Sequence, residues 1–135
     1  MAEGTVVKEQ LTGAMIDAGA ELTKKLDESG LPVTAALWLF VSDLNEWRLL
    51  FASPEVGTKG RRDVYEKIQH AIGQLGDTAS AVPLSVVGLL DPDADLVRLL
   101  KVAVRTTGPG LSRIRFSKNV INGHFIDDAL IYRAA

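Results

Sequence analysis

Apolar positions along the chain change period several times, and each change marks an element. From Val6 to Glu28, the residues Leu11, Met15, Ala18, Leu22 and Leu26 recur at steps of three and four. They share one face and predict an amphipathic helix, with Glu21 and Lys25 at i and i+4 on its wet side. Ser29, Gly30 and Pro32 predict its end, because Gly adopts the left-handed C-terminal conformation and Pro cannot continue the helix. Val33 to Val41 is apolar without alternation and carries Trp38 and Phe40. That pattern predicts a strand covered on both faces. Ser42 to Asn45 is rich in turn formers. Glu46 to Ala52 then alternates, with Trp47, Leu49 and Phe51 on one side and Arg48, Leu50 and Ala52 on the other. The short link predicts an antiparallel hairpin of these two strands, with both Trp residues in the core.

Ser53 to Gly60 is expected to be a loop, followed by a helix over Arg61 to Leu75 on the stripe Tyr65, Ile68, Ile72 and Leu75. Asp77 to Pro83 consists of small residues and is expected to be the least ordered internal stretch. Leu84 to Leu90 predicts a third strand that is apolar on both faces. Asp91-Pro92-Asp93 predicts a helix start, with Asp as cap and Pro in the first turn. Leu96, Leu99, Leu100 and Ala103 give that helix its core face, and Thr106 to Gly110 breaks it. Leu111 to Ile121 and His124 to Arg133 flank Asn122-Gly123, a dipeptide that accepts positive φ and closes two-residue hairpins. That loop sets Ile121 opposite His124, Val120 opposite Phe125, Lys118 opposite Asp127, Phe116 opposite Ala129 and Ile114 opposite Ile131. Ile114, Phe116, Val120, Phe125, Ala129 and Ile131 then form a core face. Arg113, Arg115, Ser117, Asn119 and Asp128 form a wet one, on which an arginine can pair with Asp128. The order α-β-β-α-β-α-β-β predicts a single α+β domain over residues 1–135 with a mixed five-stranded sheet.

Composition narrows the chemistry. The 135 residues include no Cys and only two His, His70 and His124, which excludes disulfides, thiolate metal sites and Cys nucleophiles. Neither a metal nor a cofactor is expected. A charged fraction of 24% with mean hydropathy +0.13 argues against disorder. Apolar runs fall far short of the roughly 20 residues a membrane span requires. The start Met1-Ala2-Glu3-Gly4 lacks the apolar segment of a secretory leader, so a cytoplasmic protein with no membrane partner is expected.

Charge is unevenly placed. The net charge is −2, yet residues 96–118 carry six cations and no acid, leaving nine basic and 17 acidic residues elsewhere. Arg98, Lys101 and Arg105 step by three and four along one helix face, and Arg113 and Arg115 share one strand face. Cations spaced along a surface suit a phosphate backbone, so these five are candidate polyanion-binding residues, with nucleic acid as a possible partner. The same residues also fit a solvated face, and no aromatic interleaves with them for base stacking. A second candidate is the cationic helix start Lys59, Gly60, Arg61 and Arg62, where helix amides favour anions. It lacks the spacing of a Walker A loop.

Catalytic signals are sparse. His124 and Asp128 point to one side of their strand but are about 13 Å apart by strand rise. Asp43, Glu46, Glu55 and Lys59 do not give a carboxylate–lysine pattern for metal-assisted hydrolysis, and no serine sits in a nucleophile elbow. The expectation is a small non-enzymatic interaction module that binds a protein partner or a second copy of itself. Two strands that are apolar on both faces, with three helices to cover them, motivate it. Polyanion binding and phosphate-handling chemistry at residues 57–62 are the alternatives.

Overall fold

The structure, a computed structural model, describes residues 8–104, 110–121 and 123–135. Its elements run α1 (Gly13–Glu28), β1 (Ala35–Val41), β2 (Glu46–Ala52), α2 (Glu55–Thr58), α3 (Arg61–Gly73), β3 (Val87–Leu90), α4 (Asp95–Ala103), β4 (Ile114–Ile121) and β5 (His124–Ala134). The strands form one sheet in the order β3-β2-β1-β5-β4. β2 and β3 are parallel, joined by a crossover through α2 and α3, and all other neighbours are antiparallel. This is the mixed five-stranded α+β architecture that the element order predicts.

The sheet separates two layers. On one face α1 and α3 cover Trp38, Phe40, Trp47, Leu49, Phe51, Leu130 and Tyr132, with Leu22, Leu26, Val64 and Ile68 pressed against them. On the other face α4 alone supplies Leu99 and Leu100 over Leu37, Ile126, Ala129 and Ile131. Val97 closes a small group with Ala35 and Ala52. β1, central in the sheet, is buried along almost its whole length, as its unbroken apolar run predicts.

A chain of hydrogen bonds fixes α1 to the sheet. The Trp38 indole N–H donates to the Tyr132 hydroxyl at 3.0 Å, and that hydroxyl donates to the Ile16 carbonyl at 2.6 Å. Tyr132 is the extra residue of a bulge in β5, since Ala36 pairs with Arg133 while Leu37 pairs with Ile131. Gly19 permits the close approach, because a Cβ there would lie 2.5 Å from the Tyr132 hydroxyl and 2.7 Å from the Trp38 nitrogen. At the far end of α1, buried Arg133 forks onto Asp27 at 3.0 and 2.8 Å.

Several boundaries differ from the sequence pattern. α1 begins at Gly13, where the Thr12 hydroxyl caps the Met15 amide. Residues 8–11, read from the sequence as helix, are instead held against Phe40, Asn45, Trp47 and Asp128. On the wet side of α1 the ion pairs are Lys24 with Glu21 and Lys25 with Glu28, not Glu21 with Lys25. The expected loop after β2 holds the short helix α2, whose Val56 is buried. The inward stripe of α3 is Val64, Ile68 and Ala71, with Tyr65 and Ile72 at its margin. Residues 76–81 form 3-10 turns, and Val82 is fully buried, so this stretch is ordered. β3 is shorter than the expected Leu84–Leu90 because residues 84–86 form a 3-10 turn, and at the sheet edge its burial alternates instead of covering both faces. Asp91 does not cap α4: its carbonyl accepts from the Ala94 amide in a turn, and the helix starts at Asp95. Within α4, Val97 takes an inward position, and Ala103 is exposed.

The terminal hairpin keeps the predicted register at Ile114–Ile131, Phe116–Ala129, Val120–Phe125 and Ile121–His124. Its inner face does not follow strict alternation. Lys118 has a φ of 46°, and beyond it Ile126 and Ile121 join the core while Val120 and Phe125 are exposed. The Asp127 carboxylate contacts Lys8 rather than Lys118.

Candidate interaction surface

The cations of residues 96–118 are distributed over both sides of the sheet. Arg113 donates to Asp17 of α1 at 3.0 Å. Arg115 forks onto Asp128 at 2.6 and 2.7 Å and lies over the Trp47 ring, on the same side as α1. Arg98 and Lys101 lie on α4, which packs on the opposite face, and have no ion-pair partner among the described residues. Arg105 lies outside the described residues. The structure therefore does not bring the described candidate residues onto one surface.

At the start of α3 each side chain is engaged. Lys59 approaches Glu55 at 3.8 Å, and Arg62 pairs with Glu66 at 3.4 Å. Arg61 donates to the Leu89 carbonyl at 3.2 Å and so ties α3 to the β3 edge. Gly60 is the helix cap at φ 90°, which explains a glycine at this position. Lys67, one turn on, donates to Glu55 at 2.6 Å and lies 3.1 Å from Asp63. The hydrogen bonds to Glu55 and Asp63 raise its pKa.

Two further regions emerge from the tertiary structure. At the free end of the β4–β5 hairpin, Val120 and Phe125 sit opposite each other and are 62% and 64% exposed. Beside them is a hollow of about 200 Å³ lined by Leu39, Asp95, Leu96, Leu99, His124, Phe125 and Ile126. The first turns of α4 wall it through Asp95, Leu96 and Leu99, and Leu39 and Leu96 are left half-buried. Strict alternation places Val120 and Phe125 in the core. A lysine at positive φ inside a strand has no local sequence mark, so the exposure was not readable.

The other region surrounds Asp128, which is only 5% exposed. Burial raises its pKa, but hydrogen bonds from Arg115, Lys8 and Ser117 outweigh this and hold the carboxyl well below the usual carboxylate range. The Lys8 ammonium lies 3.0 Å from Asp128 and 3.9 Å from Asp127. It also lies 4.6 Å from the centre of the Phe40 ring and 5.8 Å from the Trp47 ring. The two rings are themselves in tilted contact at 5.4 Å. A cleft of about 350 Å³ opens here between residues 8–11 and Trp47, Arg115 and Asp128. The pairing of an arginine with Asp128 was legible from strand alternation, but the arrival of Lys8 from 120 residues away was not.

Among the described residues, no group of three or more His, Asp or Glu is placed to hold a metal ion. No described helix is long and apolar enough to cross a membrane. No family model, curated protein or solved structure matches the chain.

Proposed function

We propose that this chain is a self-associating interaction module and that the free end of the β4–β5 hairpin carries the contact. The supporting observation is a projection and a recess side by side. Phe125 stands 64% exposed next to a hollow lined by Leu39, Leu96, Leu99 and Ile126. A two-fold pairing of copies is self-complementary, so each Phe125 enters the hollow of the other copy. His124 and Asp95 line the same hollow. A hollow that carries both a histidine and a carboxylate can pair each with its opposite on a second copy, which favours a second copy over an apolar partner of unrelated charge. The patch is small, so the association is weak and concentration-dependent.

Light scattering after size exclusion tests this from micromolar to near-millimolar chain. The expected mass rises towards twice the chain mass, and Phe125→Asp stays at one chain throughout. A wild-type chain that remains a monomer at the highest concentration overturns the proposal. Phe125 is already in solvent, so the substitution leaves the core intact. Polyanion binding stands as a second reading because Arg98, exposed on α4, and the half-buried Lys101 have no ion-pair partners among the described residues. Heparin retention of charge-neutralised variants tests it.

A further inference from the structure

We infer that the recess formed by Phe40, Trp47, Asp127 and Asp128 is a recognition site for a lysine side chain of another polypeptide segment, and that Lys8 is its intramolecular occupant. The site lies on the α1 side of the sheet, away from the Phe125 surface. Four groups converge on one ammonium. Two aromatic ring faces lie within 4.6 and 5.8 Å of Lys8 Nζ, and two carboxylates lie within 3.0 and 3.9 Å. Aromatic faces attract cations through their quadrupole, most strongly where water is partly excluded. Arg115 neutralises one of the two carboxylates through its fork. With Lys8 withdrawn, the recess holds one net negative charge between apolar walls, which suits a single primary ammonium on an alkyl stem.

The residue after the lysine is held by its backbone. The Trp47 indole N–H donates to the Glu9 carbonyl at 2.9 Å, and the Glu9 amide N–H donates to the Asn45 side-chain oxygen at 3.0 Å. These two bonds hold the chain's own Glu9 and do not involve the Lys8 side chain, so they persist when Lys8 is replaced, and the incoming ligand is defined by its ammonium and alkyl stem alone.

Lys8 is exchangeable. It belongs to a segment without helix or strand, ahead of the Thr12 cap, and its side chain is 40% exposed. An intramolecular occupant is present at high effective concentration. It therefore screens the site against free lysine segments and weakens their apparent affinity without abolishing it.

The test uses the full chain carrying Lys8→Ala and a short capped Ala-Lys-Glu-Ala peptide, followed by NMR at the Trp47 indole N–H. The two indoles are assigned by Trp47→Phe. Saturable shifts confined to that resonance and its neighbours are expected in Lys8→Ala, with binding at least tenfold weaker in the wild type. The same peptide with norleucine for lysine is expected to leave the resonance unmoved, and Asp127→Asn in the Lys8→Ala background to weaken binding severalfold. No saturable shift in Lys8→Ala at millimolar peptide, or equal response to norleucine, overturns the assignment. A thermal melt of Lys8→Ala accompanies the titration. If that variant is unfolded, the titration is run on the wild type, where absence of any lysine-specific shift counts against the site. Phe125→Asp leaves these titrations unchanged, so this test and that of self-association fail separately.

Discussion

Asp128 shows what burial does to one carboxylate when its partners arrive from distant parts of the chain. Desolvation alone would favour its neutral form, but Arg115, Lys8 and Ser117 donate to it and hold it ionised. A carboxyl with a depressed folded pKa stabilises the native state above its unfolded value, about 4, and that contribution disappears as pH falls further. Urea midpoints of wild type and Asp128→Asn are therefore expected to differ most at pH 5 to 7, by about 2 kcal/mol from lost charged hydrogen bonds. The difference closes towards pH 2. A gap that stays constant across that range contradicts the assignment. Tyr132 is the opposite case. Burial pushes its phenol up to about 12, against a smaller lowering by the bond from Trp38. Stability contributed by the neutral phenol is complete below about pH 10 and lost as pH rises through the folded value. Tyr132→Phe leaves the buried Trp38 N–H without its acceptor and is expected to lower stability by about 1–3 kcal/mol at pH 7. Difference absorbance between wild type and this variant locates the phenol titration near pH 12.

At the scale of elements, α1 shows why a helix can be legible while its seat is not. Leu22 and Leu26 are fully buried and Ala18 with them, as their spacing requires. The register of α1 on the sheet depends on Gly19, which no periodicity marks, because its role is to leave room for the Trp38–Tyr132 bond. Replacing glycine by alanine inside a helix normally stabilises it, by about 1 kcal/mol. Gly19→Ala is expected to do the reverse, lowering stability by about 1–3 kcal/mol through overpacking against two ring systems that cannot withdraw. Gly13→Ala, at a position open to solvent, is expected to be neutral or mildly stabilising. Thermal melts of the two variants must move apart, and a Gly19→Ala melt at or above wild type would mean that α1 sits differently. Elsewhere local rules were sufficient where the chain is locally determined. The register that the Asn122-Gly123 dipeptide predicts is the one in which Val120 pairs with Phe125 and Ile121 with His124, and alternation set Trp47, Leu49 and Phe51 inward. They failed where tertiary contacts overrode them. Residues 8–11 continue the pattern of α1 but meet a better set of partners on the sheet, and Asp91 spends its carbonyl in a turn.

For the whole molecule, the sheet decides what the charge distribution can do. The sequence places six cations within 23 residues, and adjacency along the chain suggests one basic surface. The chain passes from α4 on one face to the start of β4, where Arg113 and Arg115 turn to the other. Arg113 and Arg115 meet Asp17 and Asp128, while Arg98 is exposed and Lys101 half-buried, both without an ion-pair partner among the described residues. Linear charge was thus legible, and its partition between two faces was not, because it depends on which way alternate strand residues point. The two pairs must then behave differently. Arg113→Gln with Arg115→Gln removes ion pairs that join the segment at the start of β4 to α1 and β5, and is expected to lower stability by about 1–2 kcal/mol, discounted for their exposure. Arg98→Gln with Lys101→Gln is expected to stay within about 0.5 kcal/mol of wild type, as for surface positions without partners. Retention on heparin at low salt separates the two functional readings. If α4 is a polyanion surface, the second double variant elutes at distinctly lower salt while the first elutes close to wild type. Equal, weak retention of all three chains removes polyanion binding and leaves the Phe125 surface as the better-supported site of action, because that contact depends on shape and apolar area and does not weaken steeply with salt.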